Sequence, residues 1–244
     1  MLGTLVTTVV DNQVAIEGLG GVWGLSFHIE IEYPGRRESI LFDTSGSAQV
    51  FRHNSQTLDL NLKVLQAIVF SHFHHDHFGA FEQALEMTRG NCLVYLPGPH
   101  KAIEGTLTRM GVNSIIANNS QYVISGVRTT GALGPENLRE QGLIVNVSEK
   151  GLVVITGCAH PGAINLVKAA QEVFPNRPLY ALIGGFHIKT TEEGHELGEA
   201  IKSLGVSLVS PCHCTSKDAK QGIRDIVGKK IYLENGSGTK ITIH

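Results

Sequence analysis

The sequence predicts a layered α/β fold, and three observations carry that expectation. A chain of 244 residues, 42% of them hydrophobic, can bury one substantial core. Its second half repeats a strand-then-helix rhythm three times, with apolar strands over residues 152–156, 179–183 and 206–209 and helical patterns over 163–174, 191–204 and 216–227. In the first half, Leu65-Gln66-Ala67-Ile68-Val69-Phe70 is short, β-branched and aromatic, which marks a buried strand.

The remaining elements follow in order. Residues 1–10 are apolar but carry no basic stretch, and polar Asp11-Asn12-Gln13 comes next, so the segment reads as a first strand rather than a signal peptide. Residues 25–31 and 39–42 form strands joined through a Pro34-Gly35 turn. After the strand at 65–70, residues 78–89 form a helix with Phe81, Ala84, Leu85 and Thr88 along one face. Residues 91–96 form another strand, stopped by Pro97-Gly98-Pro99, and 101–110 a short helix before Gly111. Residues 112–135 suggest short strands and turns. In the second half, Thr191 and either Thr215 or Ser216 are the expected N-caps. No low-complexity linker interrupts the chain, so residues 1–244 are expected to form one domain.

Charge and cysteine usage narrow the partners. The net charge is −2 and basic residues occur only in isolated pairs such as Arg36-Arg37 and Lys229-Lys230. A protein that processes nucleic acid needs a basic stripe to neutralise phosphates, so a small-molecule substrate is expected instead. No run approaches the roughly 18 apolar residues of a membrane span. Four cysteines, at 92, 158, 212 and 214, lack the spacing of a disulfide scaffold and point to a cytoplasmic setting. Nothing in the sequence reports the oligomeric state.

The most informative segment is Ser71-His72-Phe73-His74-His75-Asp76-His77-Phe78-Gly79, directly after the strand at 65–70. His72 and His74 are two apart on extended backbone, so both side chains point the same way, while His75 points opposite, toward solvent. Asp76 and His77 follow as the chain turns and reach a neighbouring point. Imidazole with carboxylate suits zinc, with manganese or iron as the other candidates, in a pair of adjacent metal sites.

His72-x-His74-x-Asp76-His77 after a hydrophobic strand resembles the signature of the metallo-β-lactamase superfamily. Leu41-Phe42-Asp43-Thr44 is similar to the superfamily's Asp-bearing strand. Gly157-Cys158-Ala159-His160, Gly184-Gly185-Phe186-His187 and Pro211-Cys212-His213-Cys214-Thr215 look like motifs of a subgroup described as dihydropterin–ribofuranosylaminobenzene-phosphate synthase-like proteins. The similarity covers about residues 3 to 244. It implies a four-layer αββα sandwich, in which two sheets flanked by helices bury both strand–helix patterns.

The ligand-bearing turns at 72–77, 158–160, 187 and 213 all lie beyond the carboxyl ends of apolar strands, where loops converge on rigid supports. We therefore assign His72, His74 and His160 to one metal and Asp76, His77 and His213 to the other. Cys158 is either a further ligand or a small buried residue, and the superfamily's usual acidic bridging ligand is not found. Asp43, ending an apolar strand, is expected to orient a metal-bound histidine or the backbone of the signature loop. His187 follows a glycine pair that would let the backbone approach a ligand or the metal closely; it is either a seventh ligand or a group acting on the substrate, and it is read with Asp76 as a catalytic residue. His28, His53, His100, His195 and His244 carry no supporting context.

Two divalent metals would turn a bound water into hydroxide at neutral pH and polarise a substrate oxygen. The expected activity is metal-dependent hydrolysis of an ester, lactone or phosphoester, on a substrate that can be phosphate-bearing. An exported β-lactamase is disfavoured by the missing leader. The alternatives are a synthase or transferase acting on a pterin diphosphate-type substrate, an iron-dependent redox member of the same fold, and a non-enzymatic ligand trap.

Overall fold

The computed structural model describes every residue except Arg89 and Asn91. Among the described residues, seven strands make one sheet: β1 (Gly3–Val10), β2 (Ser26–Tyr33), β3 (Arg36–Phe42), β4 (Leu65–Val69), β5 (Leu93–Leu96), β6 (Ser114–Ile116) and the C-terminal β13 (Lys240–Ile243), in the order β13-β1-β2-β3-β4-β5-β6. Six make the other: β7 (Tyr122–Ile124), β8 (Val127–Thr129), β9 (Leu143–Val147), β10 (Gly151–Thr156), β11 (Leu179–Gly184) and β12 (Leu208–Pro211), in the order β12-β11-β10-β9-β8-β7. The helices are α1 (Ala48–Thr57), the single turn α2 (His75–Phe78), α3 (Phe81–Thr88), α4 (Lys101–Arg109), α5 (Ala163–Val173), α6 (Thr191–Ser203) and α7 (Lys217–Val227).

Three apolar layers separate these elements. Phe27, Ile29, Ile31, Ile40 and Phe42 of the first sheet meet Val145, Val153, Ile155, Ala181 and Ile183 of the second. The opposite face of the first sheet, with Leu41, Ile68 and Val94, is covered by Phe51, Phe81, Leu85 and Ile103 from α1, α3 and α4. The opposite face of the second, with Val154, Leu182 and Val209, is covered by Leu166, Ile201 and Ile223 from α5, α6 and α7. Period-2 alternation explains why both faces of each sheet are apolar at the centre, since both are buried. The expected αββα layering is what the chain adopts.

Several boundaries differ from the sequence reading for identifiable reasons. The helix expected over 78–89 is two pieces, because the backbone at Gly79 closes a turn onto the His75 carbonyl before α3 begins. Its expected end at Arg89 and the expected start of a strand at Asn91 lie outside the described residues. The strand expected over 206–209 begins at Leu208, since Val206 instead packs with the helices. Thr190, not Thr191, caps α6, in a capping box with Glu193, and Ser216 caps α7. The polar, weakly patterned helix α1 was not expected.

Pairing places the site. β3, β4 and β5 run parallel, as do β10, β11 and β12, so their carboxyl ends share an edge in each sheet. In the second sheet Thr156, Gly184 and Pro211 stand side by side in register. The segments leading to Cys158, His187 and His213 therefore leave from one level, facing the turn that follows Val69 beside Phe42.

Candidate metal centre

The turn after β4 holds His72 and His77 wholly buried, while His74 is exposed. The rings of His72, His74 and His160 form a near-regular triangle, with centroid separations of 4.6, 4.7 and 4.8 Å. Beside it, His213 Nε2 lies 3.2 Å from Asp76 Oδ2 and 3.0 Å from His77 Nε2. The two groups touch through His72 and His77, whose rings are 4.1 Å apart. In each triad the candidate ligand atoms lie within 4.8 Å of one another. The six residues singled out in the sequence thus come together in the two triplets expected. His75 is exposed and outside both.

What surrounds the imidazoles decides which nitrogen faces the centre. Asp43 Oδ1 accepts from the Ser71 backbone N–H at 2.7 Å, and Oδ2 accepts from the Ser71 hydroxyl at 2.6 Å and faces His77 Nδ1 at 2.7 Å. His77 therefore donates through Nδ1, leaving a lone pair on Nε2. Because the Ser71 proton is spent on Asp43, Ser71 Oγ accepts from His72 Nδ1 at 2.9 Å. His72 Nε2 is left buried with no hydrogen-bond partner. Asn12 Oδ1 accepts from His213 Nδ1 at 3.1 Å, and Asp11 Oδ2 accepts from the His213 backbone N–H at 2.8 Å. Glu140 Oε2 accepts from His160 Nδ1 at 2.7 Å.

Four imidazoles thus carry their protons outward and aim bare nitrogens at one space, joined there by a carboxylate. Two such nitrogens 3.0 Å apart repel unless something positive lies between or beside them. This donor set fits divalent cations: the outward acceptors fix tautomer and orientation as they do around bound metals. Cys158 Sγ, buried, adds a soft donor 3.3 Å from His77 Nε2. Cys212 is buried in the layer between the sheets, whereas Cys214 lies beside Cys158, its thiol 3.7 Å from the Cys158 carbonyl.

For His72 and His77 the surroundings favour the neutral imidazole. Burial, then the charge on His213, pushes His77 down to about 3, and burial holds His72 well below its ordinary value. Burial works against an ionised Asp76, but the hydrogen bond with His213 and the charges on His77 and His213 outweigh it and hold the carboxyl far below its usual range. Burial likewise opposes charge on Glu140, yet the His160 hydrogen bond and neighbouring donors bring it to about 2.

His187 stands at the rim of the first triad, exposed, with its ring 4.6 Å from that of His160. Burial, then the charge on His160 and on Lys189, lowers its pKa. The glycine pair before it serves a different purpose from the one expected. A Cβ at Gly184 would meet the Thr156 carbonyl at 2.2 Å, and one at Gly185 the Gly157 carbonyl at 2.4 Å. The glycines let two ligand-bearing turns pack on each other, not on a ligand. Asp43, Ala159, His187 and His213 all have positive φ, between 49° and 59°, a cost of about 1 kcal/mol or more each that surrounding contacts must hold.

Asp43 bonds both His77 Nδ1 and the Ser71 backbone of the signature turn. Of the remaining histidines, His100 caps α4 and His53 bonds the Gly18 carbonyl at 2.8 Å. His28 is buried with neither nitrogen partnered. Gly98, Pro99, Glu136, Asn137 and Arg139 line a small cavity beside His74. The sequence reading missed Glu140, Asp11 and Asn12. Asp11-Asn12 ends an apolar strand just as Asp43 does, and the same reasoning applied there would have found it. Glu140, in a loop before β9, gave no such signal.

No family profile matches the chain. A curated relative, 7,8-dihydropterin-6-methyl-4-(β-D-ribofuranosyl)-aminobenzene-5'-phosphate synthase of Methanocaldococcus jannaschii, is 27% identical over 241 residues, covering 81% of this chain and 82% of its own. Among solved structures, a metal-dependent hydrolase of the β-lactamase superfamily superposes with a TM-score of 0.75 at 23% identity, covering 98% of both chains. Human tRNase Z, short form, does so with a TM-score of 0.60 at 15% identity, covering 98% of this chain and 99% of its own. With two sheets between helices, the signature turn at their shared edge and these neighbours, the chain has the metallo-β-lactamase fold.

Proposed function

We infer that this protein is a metal-dependent hydrolase of a small-molecule ester, lactone or phosphoester. The observation that carries the reading is the set of imidazoles whose Nδ1 protons are spent on Asp43, Ser71, Glu140 and Asn12, so that bare Nε2 atoms converge with Asp76. His72, His74 and His160 would hold one divalent cation and Asp76, His77 and His213 a second, with Cys158 within reach of both. Bound there, such a pair supplies hydroxide at neutral pH and polarises a carbonyl or phosphoryl oxygen. Nitrogen, carboxylate and sulfur donors together favour zinc, with iron or manganese as the other candidates.

The protein's own groups do the rest. Asp76, partly exposed toward the opening, accepts a hydrogen bond from the attacking water and orients it. His187, with its lowered pKa, is a neutral imidazole at pH 7 and donates a hydrogen bond to the oxygen that gains charge as the bond breaks. His72 and His77, their pKa values pushed down by burial, do not compete for protons in the working pH range.

The synthase named for the relative supports a second reading, attack of an arylamine or its ring on a pterin diphosphate-type substrate at the same centre, with diphosphate as the leaving group. The net charge of −2 favours a small molecule over nucleic acid, although the fold also serves a tRNA nuclease. An iron-dependent redox role is weaker, because the first triad has three imidazoles and no carboxylate. The deciding experiment is a screen of chromogenic esters, lactones and phosphodiesters with protein reconstituted separately with Zn²⁺, Mn²⁺ and Fe²⁺. Turnover of at least one class, lost in His74→Ala, supports the hydrolase; full metal loading with no turnover of any class overturns it.

A further inference from the structure

Beside His213 lies a cavity of about 600 Å³ that shares His213 and Asn12 with the metal centre but whose other walls the proposed chemistry does not use. One wall is Trp23, 62% exposed, with its ring 5.0 Å from that of His213. The facing wall is α7, which presents Lys217, Lys220 and Arg224. These positions, spaced three and then four apart, lie on one face of the helix. Arg224 is paired with Glu234 at 3.3 Å. Neither lysine has a carboxylate within ion-pair distance among the described residues; Gln221, one turn after Lys217, lines the same cavity but is uncharged and donates to Asp225.

Like charges stacked at i, i+3 destabilise a helix unless an anion lies between them. A tryptophan left mostly in water beside a buried histidine is likewise unexplained by packing. Both features resolve if a flat, anionic molecule occupies the cavity. We propose that the cavity is a substrate subsite for a phosphate or phosphonate group, held by Lys217 and Lys220, with the attached ring system lying against Trp23. The proposal rests on the metal-centred reading only for its direction: the reacting bond lies toward His213. Ammonium groups with three rotatable donors each suit an oxyanion carrying two charges better than a single carboxylate, and the cavity volume falls in the usual range for small-molecule sites.

Trp23 is the chain's single tryptophan, so its emission reports on this cavity alone. The test titrates phenylphosphonate, which cannot be hydrolysed, into the metal-loaded protein by calorimetry and by tryptophan emission. Benzyl alcohol is the uncharged control. The expected result is saturable binding of phenylphosphonate with a change in emission, and none with benzyl alcohol. Binding should persist after chelation, weaken at least about tenfold in the Lys217→Ala/Lys220→Ala double variant, and stay within about threefold in the double arginine variant. Equal binding of benzyl alcohol, unchanged binding in the alanine variant, or loss of binding on chelation would each overturn the proposal, the last because the metals would then be holding the anion. Since no turnover is needed, a protein that binds phenylphosphonate yet hydrolyses nothing overturns the hydrolase reading and leaves the subsite standing.

Discussion

The site is organised by acceptors one step removed from it. Glu140 shows how much one side chain can fix: Oε1 takes the backbone N–H groups of Cys158 and Ala159, and Oε2 takes both the backbone N–H and the Nδ1 of His160. Glu140→Gln would turn one of those acceptors into a donor facing donors. We expect cation affinity to fall by about 10–100-fold, with the fold retained, as measured by competition with a chromophoric chelator. An unchanged affinity would mean that Glu140 merely fills space. His187 is expected to behave differently. His187→Ala should keep its full metal content but lose on the order of 10²–10⁴ in kcat, with KM little altered, and least for substrates with good leaving groups. Loss of one metal equivalent would instead make His187 a ligand. At this scale the sequence was legible where liganding types end apolar strands, as at His72, His160, His213 and Asp43. It was silent at Glu140, whose partners are backbone amides distant in sequence.

Individual elements carry two further consequences. α6 and α7 follow the turns of His187 and His213, and they meet through glycines. A Cβ at Gly194 would lie 2.3 Å from the Ala219 carbonyl, and one at Gly222 2.3 Å from that of Thr191. Gly222→Ala should cost about 1–3 kcal/mol in denaturant unfolding, because backbone cannot yield as a side chain would. A neutral result would show that the helices can part without loss. In β2, burial pushes His28 down to about 4. Its depressed folded value means that only the unfolded chain binds a proton between pH 6.5 and 4. Stability is therefore unaffected above pH 6.5 and falls as pH drops toward 4, by up to about 3 kcal/mol. His28→Leu should remove that acid sensitivity, and equal slopes of stability against pH in both proteins would contradict it. The strands were legible from alternation and β-branching. α1 was not, since it buries Asn54 and Ser55 along with Phe51 and shows little apolar periodicity.

At the scale of the molecule, two sheets each bring parallel carboxyl ends to one edge, and the edges face each other. That arrangement joins residues from 43 to 213 into one centre, and the strand-end rule predicts it from sequence. Sequence could not show which nitrogen of each imidazole faces inward, because that depends on Asp43, Ser71, Glu140 and Asn12 meeting their histidines in three dimensions. The central claim, two cations held by separate triplets, is tested most directly by elemental analysis after reconstitution with zinc. The account predicts about two equivalents per chain in the parent protein, about one in either His74→Ala or Asp76→Ala, and about two in His75→Ala. A plateau at one equivalent in the parent, unchanged by Asp76→Ala, would contradict it.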